Sequence, residues 1–190
     1  AMADVVNADD QNSGGEAAAS GSVSSGFPDV PAVAPYAEAV KTLSEAGIIQ
    51  GDTSGNFNPD RTVTRAQAAA FLCRMMGIGE SSKAKKITNF TDVQESYWAS
   101  GYIAAIAEKG VISGYADGSF KPDSPVTCQQ LLKMLVCAWG WKEYAENCGG
   151  WPNGYVAVAN EYGYTKNTSQ TVTANATRST VAMYIYNTMY

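Results

Sequence analysis

The sequence contains no histidine among its 190 residues. That removes the commonest general base, the Ser-His and Cys-His nucleophile pairs and most zinc sites. The chain reads as non-enzymatic, with no catalytic residues and no cofactor. Its four cysteines, Cys73, Cys128, Cys137 and Cys148, include no C-x-x-C pair, so a zinc knuckle or redox motif has no support. Cys73 and Cys137 sit in apolar helical stretches and read as small buried hydrophobes. A Cys137–Cys148 disulfide is compatible with the sequence without being demanded by it. No apolar run reaches the length of a transmembrane helix, so membrane insertion is not expected. There is no long basic run either: 13 basic against 18 acidic residues give a net charge of −5. A nucleic-acid binder working through a broad cationic face is therefore excluded.

What is present supports a folded domain. Hydrophobic residues make up 45% of the chain, enough for a packed core. Ala1 and Ala3 stand in an A-x-A arrangement, which fits the end of a cleaved signal peptide or a cloning remnant equally well. Residues 1–26 are Ala, Ser, Gly, Asn and Asp with almost no large apolar residue and read as a flexible linker or tail.

From Phe27 the chain repeats itself. "FPDV" at Phe27–Val30 returns as "FTDV" at Phe90–Val93, a shift of 63 residues. The same shift carries Gly47 onto Gly110, Phe57 onto Phe120, Pro59 onto Pro122, Thr64 onto Thr127 and Gln67 onto Gln130. A third, worn copy aligns "GYVAVANEYG" at Gly154–Gly163 with "GYIAAIAEKG" at Gly101–Gly110, and "TRST" at Thr177–Thr180 with "TRAQ" and "TCQQ". The units span residues 27–88, 89–140 and 141–190. In each unit a loop leads into an amphipathic helix with Tyr36, Val40 and Leu43, or Tyr102, Ile103 and Ile106, or Tyr155, Val156 and Ala159 on one face. Gly47, Gly110 and Gly163 close these helices. A loop pinned by an aromatic residue and a proline crosses to a second helix, which starts at a threonine cap; Thr64 and Gln67 have the spacing of a capping box.

The pattern F-x-D-V, Trp, G-[IV]-I-x-G, D-G-x-F-x-P, V-T-R-A-[EQ] resembles S-layer homology (SLH) repeats. The first two copies match over their full length; the third rests on its Trp-to-Gly helix and the Thr177–Arg178 pair. The resemblance implies a mainly α fold: three helix-loop-helix repeats over residues 27–190 forming one compact pseudo-threefold, three-pronged spindle with a central helical bundle. It implies a bacterial cell-surface module that anchors a protein non-covalently to the wall. The ligand would be a secondary cell-wall polysaccharide, commonly ending in a pyruvate-ketal N-acetylmannosamine, held in grooves between neighbouring units. There the arginine of the T-R-A-E motif would meet the ligand carboxylate, with the aspartate and tryptophan of the repeat starts lining the groove. Other surface proteins are a second partner class, and a structural scaffold for protein–protein or self-association, with its grooves partly lost, is the alternative function.

Arg65 and Arg178 occupy the first position of their helices, where a cation is unfavourable against the helix dipole. A threonine cap, free N–H groups and a planar guanidinium together make an anion site. The competing reading is a salt bridge to Asp29 or Asp92. Cys128 replaces the arginine in the second copy, predicting a weak or dead groove and an exposed or half-buried small residue. Asp29 and Asp92 either cap loop backbone or orient an arginine; the third unit has Ala145 at that place. Trp98 and Trp151 offer flat apolar walls to a sugar ring, or simply pack, and the first unit has Pro35 there with Tyr36 beside it. Thr64 and Gln67 complete the expected ligand set. No metal site is expected: the alternating Asp52, Ser54, Asn56, Asn58 and Asp60 imitate a calcium loop, but the closing position is Val63, and the second copy begins at Tyr115 and carries Lys121.

Overall fold

A computed structural model describes residues 24–190. The expected tail at 1–26 lies outside these residues up to position 23. Ser25 already belongs to the fold: it is buried and its hydroxyl donates to the Val30 carbonyl at 3.0 Å. Thr88 does the same for Val93 at 2.8 Å, so the repeated unit reaches two residues further back than its phenylalanine.

The architecture is mainly α, with eight helices among the described residues: α1 (Ala37–Glu45), α2 (Arg65–Met75), α3 (Gly79–Ser82), α4 (Ser100–Glu108), α5 (Cys128–Ala138), α6 (Lys142–Asn147), α7 (Asn153–Glu161) and α8 (Arg178–Met189). The long helices start where the caps predict. Thr64 and Thr127 each form a complete capping box with Gln67 and Gln130, and Thr177 accepts from the Thr180 N–H. The first helices end where the glycines predict. Gly47, Gly110 and Gly163 lie at φ of 71°, 71° and 77°, and the following residue's N–H returns to the carbonyl of Leu43, Ile106 or Ala159. The short helices α3 and α6 were not signalled by the repeat pattern; each follows directly on a long helix.

A helix-loop-helix reading does not say which helix packs on which. The structure pairs each long helix with the first helix of the next unit: α2 with α4, α5 with α7, and α8 back onto α1. The pairing is cyclic, so each unit buries its apolar stripe against a neighbour. Three backbone hydrogen bonds close the same cycle at the centre. The Val63 N–H donates to the Ala176 carbonyl at 3.0 Å, the Ala176 N–H to Val126 at 2.9 Å, and the Val126 N–H to Val63 at 2.8 Å. These residues directly precede the three threonine caps. The ring therefore brings the starts of α2, α5 and α8 together, each beside the incoming loop of a neighbouring unit.

The loops belong to the core. Phe57 and Phe120 are fully buried and pack on Phe27 and Phe90 with ring centres 5.5 and 5.2 Å apart. Burying each phenylalanine contributes about 2–3 kcal/mol. This anchors a loop whose backbone would otherwise be free to move.

Candidate functional site

The start of α2 does not offer the free N–H groups expected of an anion site. The Arg65 N–H donates to the Ser124 carbonyl and the Ala66 N–H to the Pro122 carbonyl, both at 2.9 Å, while the Gln67 N–H is capped by Thr64 Oγ1 at 3.1 Å. The pattern recurs in α5, where Cys128 and Gln129 donate to Ala174 and Val172, and in α8, where Arg178 and Ser179 donate to Arg61 and Pro59. Each long helix is thus capped by the next unit's loop. Thr64 and Gln67 serve the capping box, and an anion near Arg65 must be held by side chains.

The arginine side chains take one geometry twice. Arg65 is 4% exposed; its Nε donates to the Phe120 carbonyl at 2.8 Å and its Nη2 to the Ser113 carbonyl at 3.3 Å. Its guanidinium lies over the rings of Phe120 and Tyr115, at 4.6 and 5.0 Å from their centres. Arg178 donates from Nε to the Phe57 carbonyl at 2.8 Å and from Nη2 to the Gln50 carbonyl, and lies over Phe57 at 4.7 Å. Burial lowers the pKa of Arg65 from its ordinary value, but an arginine stays protonated.

Asp29 and Asp92 take the capping role. Asp92 accepts from the N–H groups of Phe120 and Lys121, both at 2.8 Å; Asp29 accepts from Phe57 and Asn58 at 2.8 and 2.7 Å. Among the described residues no carboxylate forms an ion pair with Arg65, so the Asp92 salt bridge is not formed. Asp52 likewise organises its loop, accepting from the Ser54 and Asn56 N–H groups at 2.9 Å and from Asn58 Nδ2 at 2.8 Å. Among the described residues no three His, Cys, Asp or Glu side chains cluster as metal ligands.

Cys128 differs from expectation in its burial. It is fully enclosed, neither exposed nor half-exposed, with Sγ 3.4 Å from Gln170 Oε1. Gln170 Oε1 also accepts from the Thr177 N–H at 3.1 Å. Burial pushes the Cys128 thiol up, which leaves it neutral. All four cysteines are free, so the Cys137–Cys148 disulfide is not formed.

Beside Arg65 lies a cavity of about 230 Å³. Its walls combine Arg65 at the start of α2, Ser113 to Tyr115 in the loop after α4, Gln130 and Lys133 on α5, and Trp151 just before α7. Trp151 is 45% exposed. Lys133 Nζ rests 5.3 Å from the Trp151 ring centre and 5.2 Å from that of Tyr155. Gln130 Nε2 donates to Tyr115 Oη at 3.2 Å while its Oε1 caps the Thr127 N–H, which locks both side chains in the wall. No acidic residue lines the cavity. Trp98 is elsewhere, half-buried against Tyr97 and Tyr102. The sequence reading missed Tyr115, Gln130 and Lys133 as site residues. The repeat register held the signal: Gln130 matches Gln67, and Lys133 stands at the sixth residue of its long helix, where the other two have Ala70 and Met183.

The family model for the S-layer homology domain matches residues 26–69 and 89–130. The chain is 32% identical over 123 residues to the middle cell wall protein of Brevibacillus brevis, covering 64% of this chain and 12% of that protein. It is 31% identical over 128 residues to a surface layer protein of Brevibacillus choshinensis, covering 67% of this chain and 11% of the relative. It is 34% identical over 87 residues to a cellulosome-anchoring protein of Acetivibrio thermocellus, covering 45% and 20%. The chain thus spans only a small part of these relatives. They are bacterial cell-wall and cell-surface proteins, which places this chain at the cell surface. No helix among the described residues is long and apolar enough to cross a membrane. The chain carries two S-layer homology repeats, at residues 26–69 and 89–130.

Proposed function

We propose that this chain is a non-catalytic module that holds its protein on the bacterial wall by binding a secondary cell-wall polysaccharide at an anionic terminal sugar. A pyruvate-ketal amino sugar is the ligand that the resemblance to S-layer homology repeats implies. Residues 141–190 act as a third, degenerate repeat: they supply a capped long helix, the Ala176 link of the central ring and the Trp151 wall of the cavity. The observation that carries the reading is the Arg65 cavity, a basic pocket without acidic lining on a chain of net charge −5. A carboxylate there meets a largely desolvated guanidinium, and the apolar face of a sugar meets the exposed Trp151 ring. Since the chain's overall charge repels an anionic polymer, affinity comes from close contacts, with a moderate salt dependence. The Arg178 side, with Trp98 and Gln67 from the neighbouring units, is the second candidate groove. The Cys128 side is inactive, for a neutral enclosed thiol cannot replace a guanidinium.

Self-association is the second reading. It draws on Trp139 and on the stacked pair Trp141 and Tyr162, all more than a third exposed. The test is binding to purified pyruvylated wall polymer alongside sedimentation of the free protein. Wall binding that fails on depyruvylated polymer supports anchoring. Concentration-dependent association without wall binding supports the scaffold.

A further inference from the structure

Two cations share the wall of one cavity, and the protein gives that cavity no anion. Arg65 hydrogen-bonds only carbonyl oxygens. Lys133 is half-buried, with its ammonium resting on two aromatic faces. Among the described residues it has no carboxylate within ion-pair distance. An anion bound in this cavity has two cations within its walls to meet, one of them largely desolvated. The lysine is also particular to this groove. Its counterparts Ala70 and Met183 are buried and carry no charge, so the Arg178 and Cys128 sides have a single arginine and none.

We infer that Lys133 is a specificity-determining residue of the Arg65 groove, moving off the Trp151 ring to contact the anionic sugar and ranking this groove above the Arg178 one. This rests on the proposed anchoring function and assigns it a second cation. The ammonium–ring contact is weak and is outcompeted by a charge-assisted hydrogen bond to a carboxylate. Lys133 is mounted on α5, and its stem has the reach and freedom to follow the ligand.

The test is calorimetric titration of the full chain with the pyruvate-ketal N-acetylmannosamine monosaccharide, using unmodified N-acetylmannosamine as the neutral control, at two salt concentrations. Lys133→Met, which installs the residue found at the same helix position in α8, weakens binding about tenfold and flattens the salt dependence. Lys133→Arg retains most of both. Thermal unfolding of the two variants stays near that of the wild type, since Lys133 leaves the core intact. If Lys133→Met binds with unchanged affinity and salt dependence while Arg65→Lys loses binding, the role of Lys133 is refuted and the anchoring function stands. If Arg65→Lys also binds as the wild type does, the anchoring mechanism itself fails.

Discussion

Asp92 and Arg65 hold opposite sides of the same residue. The Asp92 carboxylate accepts from the Phe120 N–H and the Arg65 guanidinium donates to the Phe120 carbonyl, each at 2.8 Å. Asp29 and Arg178 do the same to Phe57. The aspartate repeated in FPDV and FTDV thus serves an arginine indirectly. The aspartate fixes the loop, and the loop's carbonyl fixes the guanidinium. Asp92→Ala is expected to destabilise the fold by about 1–3 kcal/mol through two unpaired N–H groups, and to weaken wall binding by releasing Arg65. Asp29→Ala costs comparable stability but leaves the Arg65 groove's affinity in place. Chemical denaturation paired with wall-polymer binding checks both.

Gly101 tests the packing of α4. A Cβ there would lie 1.8 Å from the Ala84 carbonyl oxygen and 2.4 Å from that of Ser82. Backbone must move to admit it, so Gly101→Ala is expected to destabilise by about 1–3 kcal/mol or more. Gly154→Ala, with its Cβ 2.2 Å from the Ala145 carbonyl oxygen, behaves alike. A melting temperature equal to that of the wild type would contradict this packing.

The cysteines should separate by reactivity. Cys148 is exposed, whereas Cys73 and Cys128 are enclosed. Burial raises the Cys73 pKa to about 11 and that of Cys128 in the same direction. Alkylation near pH 8 modifies Cys148 first and reaches Cys73 and Cys128 only on unfolding, as peptide mass spectrometry would show. Because its site is full, Cys128→Arg is expected to destabilise the fold rather than restore a groove.

Acid should weaken the fold through its loop aspartates. The pKa of Asp52 is lowered by hydrogen bonds from the Asn58 side chain and then the Asn56 N–H, and that of Asp117 by bonds from Ser119. A folded pKa below the unfolded one contributes stability above the unfolded value, about 3.9, which is lost as pH falls towards the folded value. Melting temperature is therefore expected to be level near neutrality and to fall below about pH 4. The Asp52→Asn, Asp117→Asn double variant should show a shallower fall.

Much of the fold was legible because its signals are local. Thr64 and Thr127 fix helix starts through residues three positions away, and Gly47, Gly110 and Gly163 fix helix ends by their backbone conformation. The cyclic pairing was not legible, since the stripe of α1 is equally apolar whether it meets α2 or α8. The same limit hid the site. Arg65 stood out as a cation at a helix start, but the N–H groups around it were filled by carbonyls some 60 residues away in sequence, at Ser124 and Pro122. Lys133 looked like any helical lysine until the packing of the helices placed it beside a cavity with Arg65, and Trp151 and Trp98 parted only in the folded chain.

The central claim is that the planar Arg65 guanidinium holds the carboxylate of the wall ligand. The most direct measurement is the affinity of the wild type and Arg65→Lys for purified pyruvylated wall polymer, with thermal unfolding recorded for both. Lysine keeps the charge but loses the planar fork that grips the Phe120 carbonyl while facing a carboxylate. The account predicts at least a tenfold loss of affinity in a folded variant, with wild-type binding abolished on depyruvylated polymer. Equal affinity of the two proteins, or wild-type binding indifferent to pyruvylation, would contradict it.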